Sequence, residues 1–390
     1  MLTKQEHYRP SETQILPSEK LDQATNHNKI LYITPALSVG GAEKFLILLS
    51  NSLINEREKQ IVVSLQAVNT LQAELDKRIS FIALPRKFKF DLNPVSKLRG
   101  LIKRERPSVI FCINFYSYLV CRCAMIGLKT KSRRVISYHS TIHVTKKEHL
   151  LHKFYAFLLT KTDSIVTVSS NQAQYTSKLY KIPSAKFTTI HNGINLQYWH
   201  PSTDDKVRNE IRKQYDIVPG AKVIVMTAAL RIEKNHLGAV RALQLLHNVY
   251  GQKAYLIMVG DGIMRESIKK LANDLNVQDY IRITGMQKEV RPFYWTSDLF
   301  TLCSTSVETF SIAALEAMGC GLPGVLTNIG GASEMIKDGV NGKICEVDEG
   351  DIAKKWAAVL SGDYSKDTIH AFARDNFSAE KMLSEYRKIV

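Results

Sequence analysis

Short runs of apolar, often β-branched residues recur along this chain, and most precede a stretch whose apolar positions return every three or four residues. An unbroken apolar run suits a strand buried on both faces, and the longer period suits an amphipathic helix. In the first half this predicts strands over 29–34, 60–65, 80–83, 109–113, 134–138 and 164–169. A helix is predicted over 42–54, where Phe45, Leu48, Leu49 and Leu53 share a face, and another over 146–160. A polar stretch, 200–214, interrupts the rhythm. It restarts with strands at 222–228, 254–259, 281–284, 299–303 and 324–327, and a last helix is predicted near 379–390. Strands alternating with helices in two successive sets point to an α/β protein of two Rossmann-like domains with parallel sheets.

The length of 390 residues agrees with two domains. The expected limits are a polar tail over 1–28, domains over 29–198 and 199–375, and a final helix over 376–390 that crosses back to the first domain. The tail carries Pro10 and Pro17 and no apolar core of the kind a secretion signal needs. Residues 109–128 are apolar but contain Asn114 and Arg122, so they read as a strand followed by a loop and helix, not as a membrane span. Six cysteines lack a Cys-x-x-Cys pair and sit mostly in apolar surroundings, which suits reduced thiols and a cytoplasmic protein.

Charge changes the picture further. The net charge is +16, and residues 84–106 and 127–161 each hold eight lysines and arginines against two acids and one acid. A solvated basic face is one reading. Others are an anionic membrane surface, which would make the protein peripheral on the inner face and place Lys129, Lys131, Arg133 and Arg134 against it, or a phosphorylated lipid acceptor. No nucleic-acid module is recognisable, and the basic runs lack regularly interleaved aromatics.

The densest chemistry lies in Glu308-Thr-Phe-Ser-Ile-Ala-Ala-Leu-Glu316-Ala-Met-Gly-Cys-Gly-Leu-Pro323. Ser311 or Thr309 can cap a helix, and Gly319 or Gly321 can end it. Glu308 then stands before the helix and Glu316 on its second turn, with the positive helix end between them. Earlier, Ser38-Val-Gly40-Gly41-Ala42-Glu43 turns from strand to helix with two glycines, which let backbone approach a ligand. His139 closes a strand, at the end where open α/β sheets bind ligands.

These motifs are similar to those of the retaining nucleotide-sugar glycosyltransferases of family 4, which have the GT-B fold of two facing Rossmann-like domains. The resemblance rests on Glu308, Phe310, Ser311, Glu316, Ala317, Met318, Gly321 and Pro323. It continues in Gly40-Gly41-Ala42-Glu43, Val166-Thr-Val-Ser169, Asn192-Gly193-Ile194, Trp295-Thr-Ser297-Asp298, Gly330-Gly331-Ala-Ser-Glu334 and Asp338-Gly339. It implies that Glu316 holds the ribose hydroxyls and Glu308 the sugar, and that Lys234 stabilises the leaving diphosphate. Backbone near Thr309, Phe310 and Ser311 would assist, the 285–290 loop with Glu289 and Val290 would meet the base, and His139, Gly40 and Gly41 would reach in from the first domain. The Arg that the family places five residues before the Lys is Ala229 here, which leaves Arg231 as the substitute. His191 stands where the family has proline.

The expected activity is transfer of a hexose from a nucleotide-diphosphate sugar, a UDP-sugar foremost, to a glycan or lipid-linked glycan acceptor. The nucleotide sugar is a co-substrate and no other cofactor is expected. No Asp-x-Asp pair closes a strand, so no metal is expected either. Two other readings remain open at this stage: a sugar-nucleotide epimerase or hydrolase on the same fold, and a non-catalytic partner subunit. Val259-Gly260-Asp261-Gly262 is not a dinucleotide fingerprint, because Arg265 stands where its third glycine belongs.

Overall fold

The computed structural model describes residues 28–38, 41–54, 58–88, 91–139, 146–202, 204–306 and 308–390. Its first domain runs β1 (Asn28–Thr34), α1 (Gly41–Leu53), β2 (Glu58–Ser64), β3 (Ser80–Ala83), α2 (Asn93–Glu105), β4 (Val109–Ile113), α3 (Asn114–Met125), β5 (Arg133–Tyr138), α4 (Lys146–Phe157), β6 (Asp163–Thr167), α5 (Ser170–Tyr180) and β7 (Phe187–Thr189). All seven strands are parallel, in the order β3-β2-β1-β4-β5-β6-β7. Every side chain of β4 is buried, as a strand covered on both faces requires.

The second domain begins with α6 (Asp205–Gln214) and β8 (Lys222–Thr227), then α7 (His236–Asn248), β9 (Ala254–Val259), α8 (Arg265–Asp274), β10 (Ile281–Gly285), α9 (Arg291–Thr296) and β11 (Leu299–Leu302). It continues with α10 (Ile312–Gly319), β12 (Gly324–Thr327), α11 (Ala332–Met335), β13 (Gly342–Cys345), α12 (Glu349–Leu360), α13 (Lys366–Phe377) and α14 (Ala379–Arg387). Its six strands are parallel, in the order β10-β9-β8-β11-β12-β13. Strand order reverses between β1 and β4 in one sheet and between β8 and β11 in the other. At such a switch point the chain leaves neighbouring strands in opposite directions and opens a crevice beyond their carboxyl ends.

Two neighbouring segments join the domains. Ile194 and Ser378 form a parallel bridge, with the Ile194 amide donating to Phe377 O and the Ala379 amide to Ile194 O, each at 2.9 Å. Beyond it, α14 packs on α1, and its Met382 and Tyr386 join Phe45 and Phe111 in one apolar cluster.

Three features differ from the sequence reading. The 200–214 stretch contains α6, started by Asp204, whose carboxylate accepts from the Lys206 amide at 2.9 Å. The short strands β7 and β13 extend one edge of each sheet. Arg134 is not a surface charge: it is buried and paired with Asp163, which also accepts from the Tyr118 hydroxyl at 2.7 Å. Lys129, Lys131 and Arg133 are exposed, but the first two precede β5 and the third opens it, at the end of the sheet opposite the crevice.

Candidate active site

One wall of the crevice is built on the second domain. After β11 the chain passes Glu308 and enters α10 with Ser311 as its cap, whose Oγ accepts from the Ala314 amide at 3.2 Å. The helix closes through Gly321, at φ +78°, so of the two expected glycines it is the left-handed one. Lys234 arrives from the end of β8, and its Nζ donates to Glu308 Oε2 at 2.6 Å. Ser304 Oγ donates to the same oxygen at 3.2 Å. Beneath the loop lies Gly330, at φ +59°, where a Cβ would stand 1.7 Å from Glu308 O. Only glycine lets the two backbones meet this closely. The Gly331 amide, donating to Thr309 O at 2.8 Å, and Asn192 Nδ2, donating to Phe310 O at 3.1 Å, complete the brace.

Glu316 follows on α10. Burial pushes its carboxyl up to about 7, and the hydrogen bond from the Tyr294 hydroxyl, at 3.4 Å, is too long to restore it.

The opposite wall gathers three strand ends of the first domain. Gly41 opens α1 after β1, and a Cβ there would meet nothing within 4 Å, so its backbone faces free space. Lys44 follows on the first turn. Asn114, in the left-handed region at φ 62°, follows β4, and its Oδ1 accepts from the His139 amide at 3.1 Å. His139 follows β5. Its Nε2 shares a hydrogen bond with Ser137 Oγ at 2.9 Å, and its ring lies 4.8 Å from that of Phe45. Burial lowers its pKa to about 4, so the imidazole is neutral at physiological pH.

Between the walls is a cleft of about 790 Å³, large enough for a nucleotide sugar. Gly41 and His139 line one side, and Glu308, Thr309, Phe310, Ser311 and Glu316 the other. Lys234 stands behind Glu308. Gly40 lies outside the described residues. Besides Lys234, three expected site residues are absent from the lining. Glu289 binds Arg291 at 2.6 Å and accepts from the Tyr198 hydroxyl at 2.8 Å, and the Arg291 guanidinium beside it holds its carboxyl down at about 2. Val290 packs on the core of its own domain. Arg231 is 68% exposed, and the carboxylate paired with it, Glu233, is 3.9 Å away.

Sequence reasoning missed Lys44 and Asn114, which also line the cleft. Their signal was position: each directly follows a strand end or its glycine turn. It also missed a brace between domains. The His191 ring stacks on Phe310 at 4.8 Å and 7°, and its Nε2 meets Glu334 at 2.9 Å. Glu334 also accepts from the Ser170 and Asn171 amides at the start of α5, each at 2.9 Å. Burial alone would raise the Glu334 carboxyl, but these partners more than offset it and hold it below its usual range.

The comparisons with known proteins fall on both halves. Residues 39–198 match the model of Glycosyltransferase Family 4, and residues 207–375 match that of Glycosyl transferases group 1. The N-acetyl-alpha-D-glucosaminyl L-malate synthase of Bacillus anthracis is 28% identical over 77% of this chain and 78% of its own. A Campylobacter jejuni enzyme, the GalNAc-alpha-(1->4)-GalNAc-alpha-(1->3)-diNAcBac-PP-undecaprenol alpha-1,4-N-acetyl-D-galactosaminyltransferase, is 22% identical over 93% of this chain and 98% of its own. Among solved structures, Anabaena Alr3699/HepE in complex with UDP superposes with a TM-score of 0.77 at 18% identity, covering 93% of this chain and 99% of that one.

Proposed function

Because the chain belongs to the family-4 glycosyltransferases of the GT-B fold, we propose that its cleft takes a UDP-sugar and passes the sugar, with retention of anomeric configuration, to a lipid-linked glycan. The observation that carries this reading is the meeting of Glu308, paired with Lys234 at 2.6 Å, and Glu316 in one cleft between the two domains. Glu316 offers two acceptor oxygens on one carboxylate, which suits the ribose diol. Glu308 binds sugar hydroxyls and steadies positive charge developing at the anomeric carbon. As the bond to the diphosphate breaks, negative charge grows on the leaving oxygen. Lys234 and the amides at the start of α10 stabilise it there, more strongly than water would. His139, neutral, serves as a hydrogen-bonding group for the sugar and not as a cation.

The lipid-linked acceptor is inferred from the Campylobacter relative, which acts on an undecaprenol diphosphate glycan by its name. Among the described residues no group of three or more His, Cys, Asp or Glu is placed to hold a metal, and we propose that Lys234 supplies the cation. Full activity in excess EDTA is the expected outcome, and strong loss would overturn that part.

Thermal stability against UDP, GDP, ADP and NAD tests the donor site. A ligand at about a hundred times its Kd adds roughly 2.7 kcal/mol. UDP alone should stabilise the wild type, and Glu316→Ala should lose the shift. With the donor sugar in hand, the anomeric configuration of the product tests retention. No shift with any nucleoside diphosphate would favour the non-catalytic partner subunit.

A further inference from the structure

Helix α4, which follows His139 and the segment after it, turns an apolar stripe to solvent. Leu150 is 69% exposed, Leu151 41%, Phe154 49% and Phe157 84%. Their spacing, i, i+1, i+4 and i+7, puts them on one side of the helix, while Tyr155 faces the core with Phe115 and Tyr180. Exposed aromatic and leucine side chains in such a row are costly in water and mark a surface that is covered in use.

Charge identifies what covers it. From α4 to the end of α5, residues 146–181 hold six lysines against two acids, Glu148 and Asp163, and Asp163 is buried against Arg134. Lys153 lies on α4, Lys161 just after it, and Lys178 and Lys181 at the end of the adjacent α5; all four are exposed. We propose that this side of the first domain docks on an anionic lipid bilayer, with the α4 stripe in the headgroup region and the surrounding lysines on lipid phosphates. A helix with apolar residues on one side and lysines beside them has the composition of an interfacial helix. A second copy of the chain fits worse, since pairing the two faces would oppose like charges. Among the described residues no helix is long and apolar enough to cross a membrane. The basic residues suspected from sequence are thus replaced: Arg134 belongs to the core, and the docking face centres on α4.

The test is co-sedimentation of the full chain with vesicles of phosphatidylcholine, with and without phosphatidylglycerol. Binding to the anionic vesicles alone, released by high salt, is expected. Leu150→Ser with Phe157→Ser should weaken it at least about tenfold, and Lys153→Ala or Lys161→Ala about fivefold each, with Tm unchanged because all four side chains are exposed. The proposal fails if the wild type ignores anionic vesicles or if the serine variant binds as well as wild type. It also fails if light scattering without lipid shows a dimer that the serine variant splits, since the face would then join two copies. The UDP-induced thermal shift is read separately, so failure here and failure of the donor-site reading are distinguishable.

Discussion

The two walls of the cleft are made in different ways. The second-domain wall comes from one stretch, Glu308 to Glu316, whose backbone is clamped from below by Gly330 and Gly331 and whose first carboxylate is already paired with Lys234. The first-domain wall is assembled from three strand ends, after β1, β4 and β5, which are neighbours only because of the strand order β1-β4-β5. One wall is set by local sequence, the other by topology. Burial acts on both in the same sense. It raises Glu316 to about 7 and lowers His139 to about 4, so burial favours the neutral form of each.

The largest effects should follow from breaking the second-domain wall. Glu316→Ala and Lys234→Ala are each expected to cut turnover at least about a hundredfold. Wild-type rates in either variant would remove the assignment of this wall to the reacting diphosphate and ribose. His139→Ala should cost less, roughly tenfold, since it removes a neutral hydrogen bond. That loss should be constant from about pH 5.5 to 9, because His139 stays uncharged well above a pKa of about 4. A titrating defect near neutrality would mean that His139 is charged in the occupied cleft.

Glu316 should behave oppositely. Its folded pKa of about 7 lies above the usual carboxylate value of 4.5, so the empty protein binds more protons than the unfolded chain between those values. Stability attributable to this group is therefore present below pH 4.5, falls as pH rises to about 7, and stays lost above it. Glu316→Gln should raise the Tm of the empty protein at pH 8 and leave it nearly unchanged near pH 4.5. UDP affinity of the wild type should rise through pH 7 as the carboxylate forms and can accept both ribose hydroxyls. A pH-independent UDP affinity across that range would show that the diol is held elsewhere.

What could be read in advance follows the same division. Strand spans such as 109–113 and 254–259 coincide with the observed elements, because a fully buried parallel strand leaves an unbroken apolar run. The Glu308–Glu316 segment was legible because its cap, carboxylates and stop are contiguous. Asn114 and Lys44 were not, since nothing local says that the ends of β1, β4 and β5 converge. Helix α6 was hidden by its own composition, with Asp, Lys, Arg, Asn, Glu and Gln over almost all of Asp205–Gln214. It packs on α9 partly through the long Arg212 stem, a role for a charged residue that polarity alone conceals. Arg134 misled for the same reason: in a run of basic residues only the fold shows which one meets a buried aspartate.

The smallest expected effect concerns Arg231. Resemblance offers it as the second diphosphate cation, but its side chain is 68% exposed, while Lys234 is 22% exposed and bound to Glu308, which lines the cleft. A cation that solvent already screens contributes little to a charge forming inside a dry cleft. Arg231→Ala should therefore change kcat and the donor KM by no more than about twofold, against the hundredfold set for Lys234→Ala. A loss of kcat approaching that of Lys234→Ala would mean that Arg231 swings inward when the domains close. The second-domain wall would then also be completed only on closure, and the contrast between a wall fixed by local sequence and one gathered by topology would not hold.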